Sequence, residues 1–168
     1  MAGRRTFFSF HYGRDIWRAT NVRNSGAIDR TLQAGWTDAS LWEATKRKGD
    51  DAIRRLIDEG LKGTSVTVVL IGAQTAQRPW VNYEIRRSLE RGNGVIGVRI
   101  HKIRDKDGKI DRRGPVPEVM LDNKCRVYDW DRSAFAGQVE RAAIRSGKSC
   151  LAHGAKQCFI CLFIRPLW

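Results

Sequence analysis

Apolar and polar positions alternate along this chain in a way that predicts strands and helices in turn. Arg5 to Phe10 is short and aromatic-rich, as expected of a buried strand that ends at Ser9-Phe10-His11. Asp15 is then placed to cap a helix carrying Ile16, Trp17, Thr20 and Val22 as far as Asn24. Residues 25–43 show no regular period. A polar helix is predicted from about Ala44 to Glu59, with Ile53, Leu56 and Ile57 on one buried face. Ser65 to Ile71 is nearly continuous and β-branched, the pattern of a central parallel strand buried on both faces, and Gly72 ends it.

A further helix is predicted to start near Pro79, which suits a first-turn position. It carries Trp80, Val81, Glu84, Ile85 and Leu89 and stops at Gly92-Asn93-Gly94. Val95 to Ile100 reads as the next strand, residues 101–117 as a basic loop, Arg126 to Trp130 as a last strand and Phe135 to Arg145 as a last helix. This order predicts an α/β fold, a flavodoxin-like three-layer sandwich with a mostly parallel sheet. Ligands of such sheets bind beyond the carboxyl ends of the strands, which here means the loops after Phe10, Ile71 and Ile100.

One domain is expected over residues 1–145, with 146–168 as a C-terminal extension. The extension shifts in composition to Cys, Gly and Lys and then to the apolar run Cys158 to Ile164. It reads as an extra edge strand, a dimer contact or an appendage peculiar to this chain.

With 42% apolar and 29% charged residues the composition is that of an ordinary globular protein. The charge balance is not ordinary: 31 basic against 18 acidic residues leave +13. Such a surface attracts polyanions, but the basic residues are dispersed, and the aromatic ones are not interleaved with them as in a nucleic-acid-binding face. No signal-peptide core or membrane-length apolar run is present, so a cytoplasmic protein without a membrane partner is expected. Three of the four cysteines crowd into the last nineteen residues, which is no disulfide framework. Cys150, His153, Cys158 and Cys161 are spaced too tightly for common zinc sites, and buried reduced cysteines are the expectation. Asp105, Asp107 and Asp111 lack calcium-loop spacing and read as part of a solvated loop; no metal and no bound cofactor are expected.

Candidate chemistry centres on Gln77-Arg78-Pro79-Trp80-Val81-Asn82-Tyr83-Glu84. Trp80 and Glu84 are four apart and share a helix face near a strand-end crevice. An indole and a carboxylate there suit a flat cationic ring attached to a sugar. The ring stacks, and the carboxylate stabilises the oxocarbenium-like centre as the ring departs. The same spacing also fits a core Trp beside a solvated Glu. His11 is open between an acid/base or phosphate role and a structural one, and Asp38 between a ribose contact and a turn cap. Gly72 with Gln74-Thr75 is no P-loop, and no dinucleotide-binding glycine pattern follows a strand.

Trp80-Val81-Asn82-Tyr83-Glu84 resembles the tryptophan-x-x-x-glutamate motif of TIR domains, placed as in that family after the third predicted strand. Further segments bring the chain close to the TIR-like proteins of the Thoeris antiphage system, the ThsB family. They are Phe7 to Tyr12, Val22-Arg23-Asn24, Asp38 to Glu43 and Thr64 to Gly72. The resemblance spans residues 4–145. It implies a flavodoxin-like fold, NAD⁺ as substrate, and a cyclic ADP-ribose isomer as a diffusible signal to a separate effector protein. A phage trigger belongs to the same picture, and a homo-oligomer is left open. By the same resemblance Glu84 is the catalytic carboxylate, Ser9 and Phe10 line the nucleotide site, and Asp38 stands in a matching motif. On that reading Trp80 or Phe10 stacks on a base and Arg23 or Arg78 meets the pyrophosphate. The alternatives are a simple NAD⁺ hydrolase and a non-catalytic assembly module, since one fold serves both enzymes and adaptors.

Overall fold

The computed structural model describes residues 4–36 and 39–146. The elements in chain order begin with β1 (Thr6–Phe10), α1 (Tyr12–Asn24), β2 (Gln33–Ala34), α2 (Ala39–Arg47), α3 (Asp50–Leu61) and β3 (Val66–Ile71). They continue with α4 (Pro79–Glu90), β4 (Gly94–Arg99), α5 (Glu118–Asp122), β5 (Arg126–Asp129) and α6 (Arg132–Arg145). Among the described residues five strands pair, all parallel, in the order β2-β1-β3-β4-β5.

Alternation along β3 divides the core. Val66, Val68 and Leu70 pack with Ala19 and Val22 of α1 and with Phe135, Val139 and Ala142 of α6. Val69 and Ile71 turn the other way, to Val81 and Ile85 of α4 and Met120 of α5. Phe7 and Ala34 join that second layer through Ile53, Ile57 and Leu61 of α3. A strand flanked by helices on both faces has no polar side, which is why its sequence is almost unbroken Val, Leu and Ile. The expected three-layer α/β sandwich is therefore present.

The departures from the sequence reading are local. The single helix expected over 44–59 is two, α2 and α3, parted at Gly49, whose φ of 90° is open to glycine and strained for other residues. Asp15 caps nothing: His11 is the N-cap of α1, and Asp15 lies one turn in, fully buried beside Gly72. The irregular stretch 25–43 holds the two-residue β2, too short to carry a periodic signal. The 101–117 loop is largely exposed, as a solvated loop should be, and is also anchored to α1. Arg18 of α1, 4% exposed, donates to the carbonyls of Ile103 and Lys109 and to Asp105, while Arg14 grips Asp111.

Candidate functional site

The strand order reverses direction at β1: β2 lies on one side and β3 on the other. The loops that leave β1 and β2 diverge there and open a crevice. A cavity of about 710 Å³ occupies it, bounded by the end of β1, the β2 edge, α2, α3 and the first turns of α4. Of the three strand-end loops singled out by sequence, those after Phe10 and Ile71 lead into its wall. The loop after Ile100 contributes no residue to it, because β4 stands on the far side of β3 from the crevice.

Glu84 enters this wall one helical turn after Trp80, and both line the cavity. The register of α4 is set from beneath by a buried polar chain. Asn93 donates to the hydroxyls of Thr64 and Thr67, Thr67 to Ser88, and Ser88 to the Glu84 carbonyl at 2.6 Å. That chain pins the helix backbone at the residue whose carboxylate faces the crevice. Glu84 is half-buried by area but densely surrounded by protein. Ser9 Oγ donates to its Oε2 at 2.5 Å. Burial pushes the carboxyl from an ordinary 4.5 up to about 8, and the Ser9 hydrogen bond pulls against that. Ser9 itself is 1% exposed, so its hydroxyl serves Glu84.

The remaining candidates fall in several places. Phe10 lies against Tyr12 and Trp36, with ring centroids 6.1 and 5.1 Å apart, and lines the cavity. His11 lines it too. Burial, with Arg78 and Arg14 nearby, lowers its pKa to about 4, so it is a neutral imidazole at neutral pH, and its Nδ1 has no partner. Trp80 packs edge-on to Tyr83 at 5.9 Å, one side in the core and one on the cavity. Arg23 reaches from the last turn of α1, its guanidinium 4.9 Å from the Trp36 ring centroid. Arg78 is exposed at the start of α4 and lines the cavity. Asp38 lies outside the described residues, as do residues 147–168 with Cys150, His153, Cys158 and Cys161.

Sequence reasoning missed Gln33 and Trp36, which line the same cavity from the β2 edge. The signal was thin: an indole one residue after Gly35 in a stretch without period. Gly35, at φ 83°, presses so closely on the Phe8 backbone that a Cβ there would overlap the Phe8 carbonyl oxygen, and the chain thereby sets Trp36 onto β1.

A carboxylate held by one hydroxyl, aromatic faces and two arginines in one crevice are the parts that the TIR resemblance calls for. The family described as "Thoeris protein ThsB, TIR-like domain" matches residues 7–105. The chain belongs to the ThsB TIR-like family. It is also 49% identical over 136 residues to the Bacillus cereus (strain MSX-D12) protein named "Putative cyclic ADP-D-ribose synthase ThsB1", a match that covers 76% of this chain and 71% of that protein. The family match takes in every described site residue named above, from β1 through α4. No helix among the described residues is long and apolar enough to cross a membrane.

Proposed function

We propose that this ThsB-family chain cleaves the nicotinamide–ribose bond of NAD⁺ and closes the remaining ADP-ribose into a ring. The observation that carries the reading is Glu84: a carboxyl raised to about 8 by burial, held by Ser9, in the strand-end cavity beside Trp80. The name carried by the relative at 49% identity gives independent support for the cyclic product.

The chemistry asks little of the protein beyond that arrangement. In NAD⁺ the nicotinamide is already cationic. The C–N bond breaks with its electron pair going to the ring nitrogen, so the departing group is neutral and needs no proton. Positive charge moves to the anomeric carbon, where an ionised carboxylate stabilises it. The approach of the cationic nicotinamide itself favours loss of the Glu84 proton, since an opposite charge lowers a carboxyl pKa. The neutral His11 adds no positive charge of its own to that cavity. A nucleophile of the distal half, an adenine nitrogen or a ribose hydroxyl, then bonds to the anomeric carbon. One proton is released, and the products are a cyclic ADP-ribose and nicotinamide. Water in the same position would give linear ADP-ribose, so the outcome turns on how well the aromatic wall excludes it.

The product would act as a soluble signal on a separate effector in antiphage defence, with the enzyme in the cytoplasm. In cells challenged with phage, mass spectrometry should find a cyclic ADP-ribose and falling NAD⁺ with the wild-type chain. Both should be absent with Glu84→Gln expressed at equal level. Removing so central a charge from a transition state lowers turnover by roughly 10²–10³-fold or more. Undiminished product from the Glu84→Gln chain would overturn the proposal.

A further inference from the structure

The cavity does not keep to one face of the sheet. Side chains alternate along a strand: Phe7 and Ser9 of β1 turn toward α3 and α4, and Phe8 and Phe10 toward α1 and α6. Yet Phe7, Phe8, Phe10 and Glu84 all line this one cavity. The passage lies over the edge of β1. β2 pairs only with Thr6 and Phe7, so from Phe8 to Phe10 the ladder continues on the β3 side alone.

Across that edge from Glu84 is a polar group that bond cleavage does not use. Trp36 lies on Phe8 and Phe10, at 5.2 and 5.1 Å between centroids, and Arg23 covers its ring at 4.9 Å. Gln33 stands at the base, its amide nitrogen donating to the carbonyls of Ile28 at 2.8 Å and Arg23 at 3.3 Å. Arg23 Nε, Trp36 Nε1 and Gln33 Oε1 are all buried without a hydrogen-bond partner. Nor does Arg23 have a carboxylate partner among the described residues. Compare Arg18 on the same helix, whose guanidinium donates to Asp105, Ile103 and Lys109 and lies 3.6 Å from the carboxylate of Asp15.

Two unpaired donors, one of them cationic, and one unpaired acceptor on an aromatic floor complement a phosphorylated ribose. The phosphate takes the donors, and a ribose hydroxyl donates to the amide oxygen. We propose that Arg23, Gln33 and Trp36 form the subsite for the adenylate half of the dinucleotide, which crosses the open edge of β1 with its nicotinamide riboside at Glu84. This inference rests on the reading of Glu84 as the carboxylate that cleaves NAD⁺. It assigns substrate recognition to one face of the sheet and bond breaking to the other. A substrate lacking the adenylate half then meets only the catalytic face.

Calorimetric titration with AMP, together with steady-state kinetics on NAD⁺ and nicotinamide mononucleotide, tests the assignment. AMP should bind wild type and Glu84→Gln equally. Arg23→Met should weaken AMP roughly tenfold or more, as expected for a lost hydrogen bond to a charged group. It should raise KM for NAD⁺ by a similar factor at nearly constant kcat, and leave kcat/KM for nicotinamide mononucleotide unchanged. Trp36→Phe keeps the aromatic floor and removes only the indole N–H, so a several-fold weaker AMP affinity in that variant supports the subsite even if Arg23→Met fails to fold. Unchanged AMP binding in both variants, or equal losses toward the two substrates in Arg23→Met, would sink it. A wild type that binds AMP through Arg23 but never cleaves NAD⁺ would overturn the catalytic reading while supporting the subsite.

Discussion

Arg18 and Glu84 are both ionisable groups set into protein near strand ends, and their surroundings differ in kind. Arg18 spends its donors on two carbonyls and Asp105, with the carboxylate of Asp15 3.6 Å away. Its charge is matched by carboxylates and three hydrogen bonds tie it to the loop, so it works as a staple between α1 and residues 101–117. Glu84 has one hydroxyl from Ser9, a buried setting and a cavity beside it. A charge that is fully answered holds a fold together. One that is left half-answered stores the ability to interact with a ligand.

The contrast can be broken first at the staple. Arg18→Ala leaves Asp15 and Asp105 without their main cation, and removing one partner of a buried pair costs about 3–5 kcal/mol. Chemical denaturation at pH 8 should show a loss of that order, with faster amide exchange across residues 101–117. At pH 5 the loss should be smaller, because burial already raises Asp15 to about 6 and the neutral acid needs no counter-charge. An equal loss at both pH values would show that Asp15 takes no part in the staple.

Glu84→Gln should move stability the opposite way. A carboxyl whose folded pKa stands above its ordinary value contributes stability that is complete below about pH 4.5 and is lost as pH rises through about 8. The variant has no such loss, so its melting temperature should exceed that of wild type at pH 9, by the equivalent of a few kcal/mol, and converge with it at pH 5. A variant less stable than wild type at pH 9 would mean that Glu84 is a structural ion and not a poised one.

The smallest expected effect is at Ser9. The Ser9 hydrogen bond holds the Glu84 pKa down against burial, so Ser9→Ala should raise it further, by on the order of one unit. In wild type kcat/KM for NAD⁺ should climb with pH through about 8, as the free enzyme's carboxylate forms. In Ser9→Ala the climb should be displaced to higher pH, with the plateau less affected than the midpoint. An unmoved midpoint would separate the hydroxyl from the carboxyl's ionisation and leave Ser9 a packing residue.

Much of this could be read before any coordinates, and the readable parts share a physical cause. A strand buried on both faces must be apolar along its length, so Ser65 to Ile71 announced the middle of a parallel sheet, and β3 is Val66–Ile71. Helical spacing put Trp80 and Glu84 on one face, and both line the cavity. The Gly-Asn-Gly stop after Arg91 likewise held, because α4 ends at Glu90. These are periodic or local signals, carried by a few neighbouring residues. The division of the 44–59 helix at Gly49 was also local, but the apolar spacing of Ile53, Leu56 and Ile57 lies wholly within α3 and gave no sign of where that helix begins.

Tertiary structure decided what no local pattern contains. Ser9 and Glu84 are 75 positions apart, and only the pairing of β1 with β3 brings the hydroxyl to the carboxyl. Arg14 and Arg18 look alike to Arg23 along the chain, yet two of the three are consumed by a loop more than eighty residues away and the third is left over Trp36. Asp15 read as a helix cap and is buried, because the turn after β1 sets the N-cap of α1 at His11, a full helical turn earlier than its side chains advertised. Hydrophobic period, helix spacing and turn residues are properties of adjacent positions, and the sequence displays them directly. Whether a buried charge is satisfied depends on partners brought from elsewhere in the chain, and that is settled only when the sheet closes.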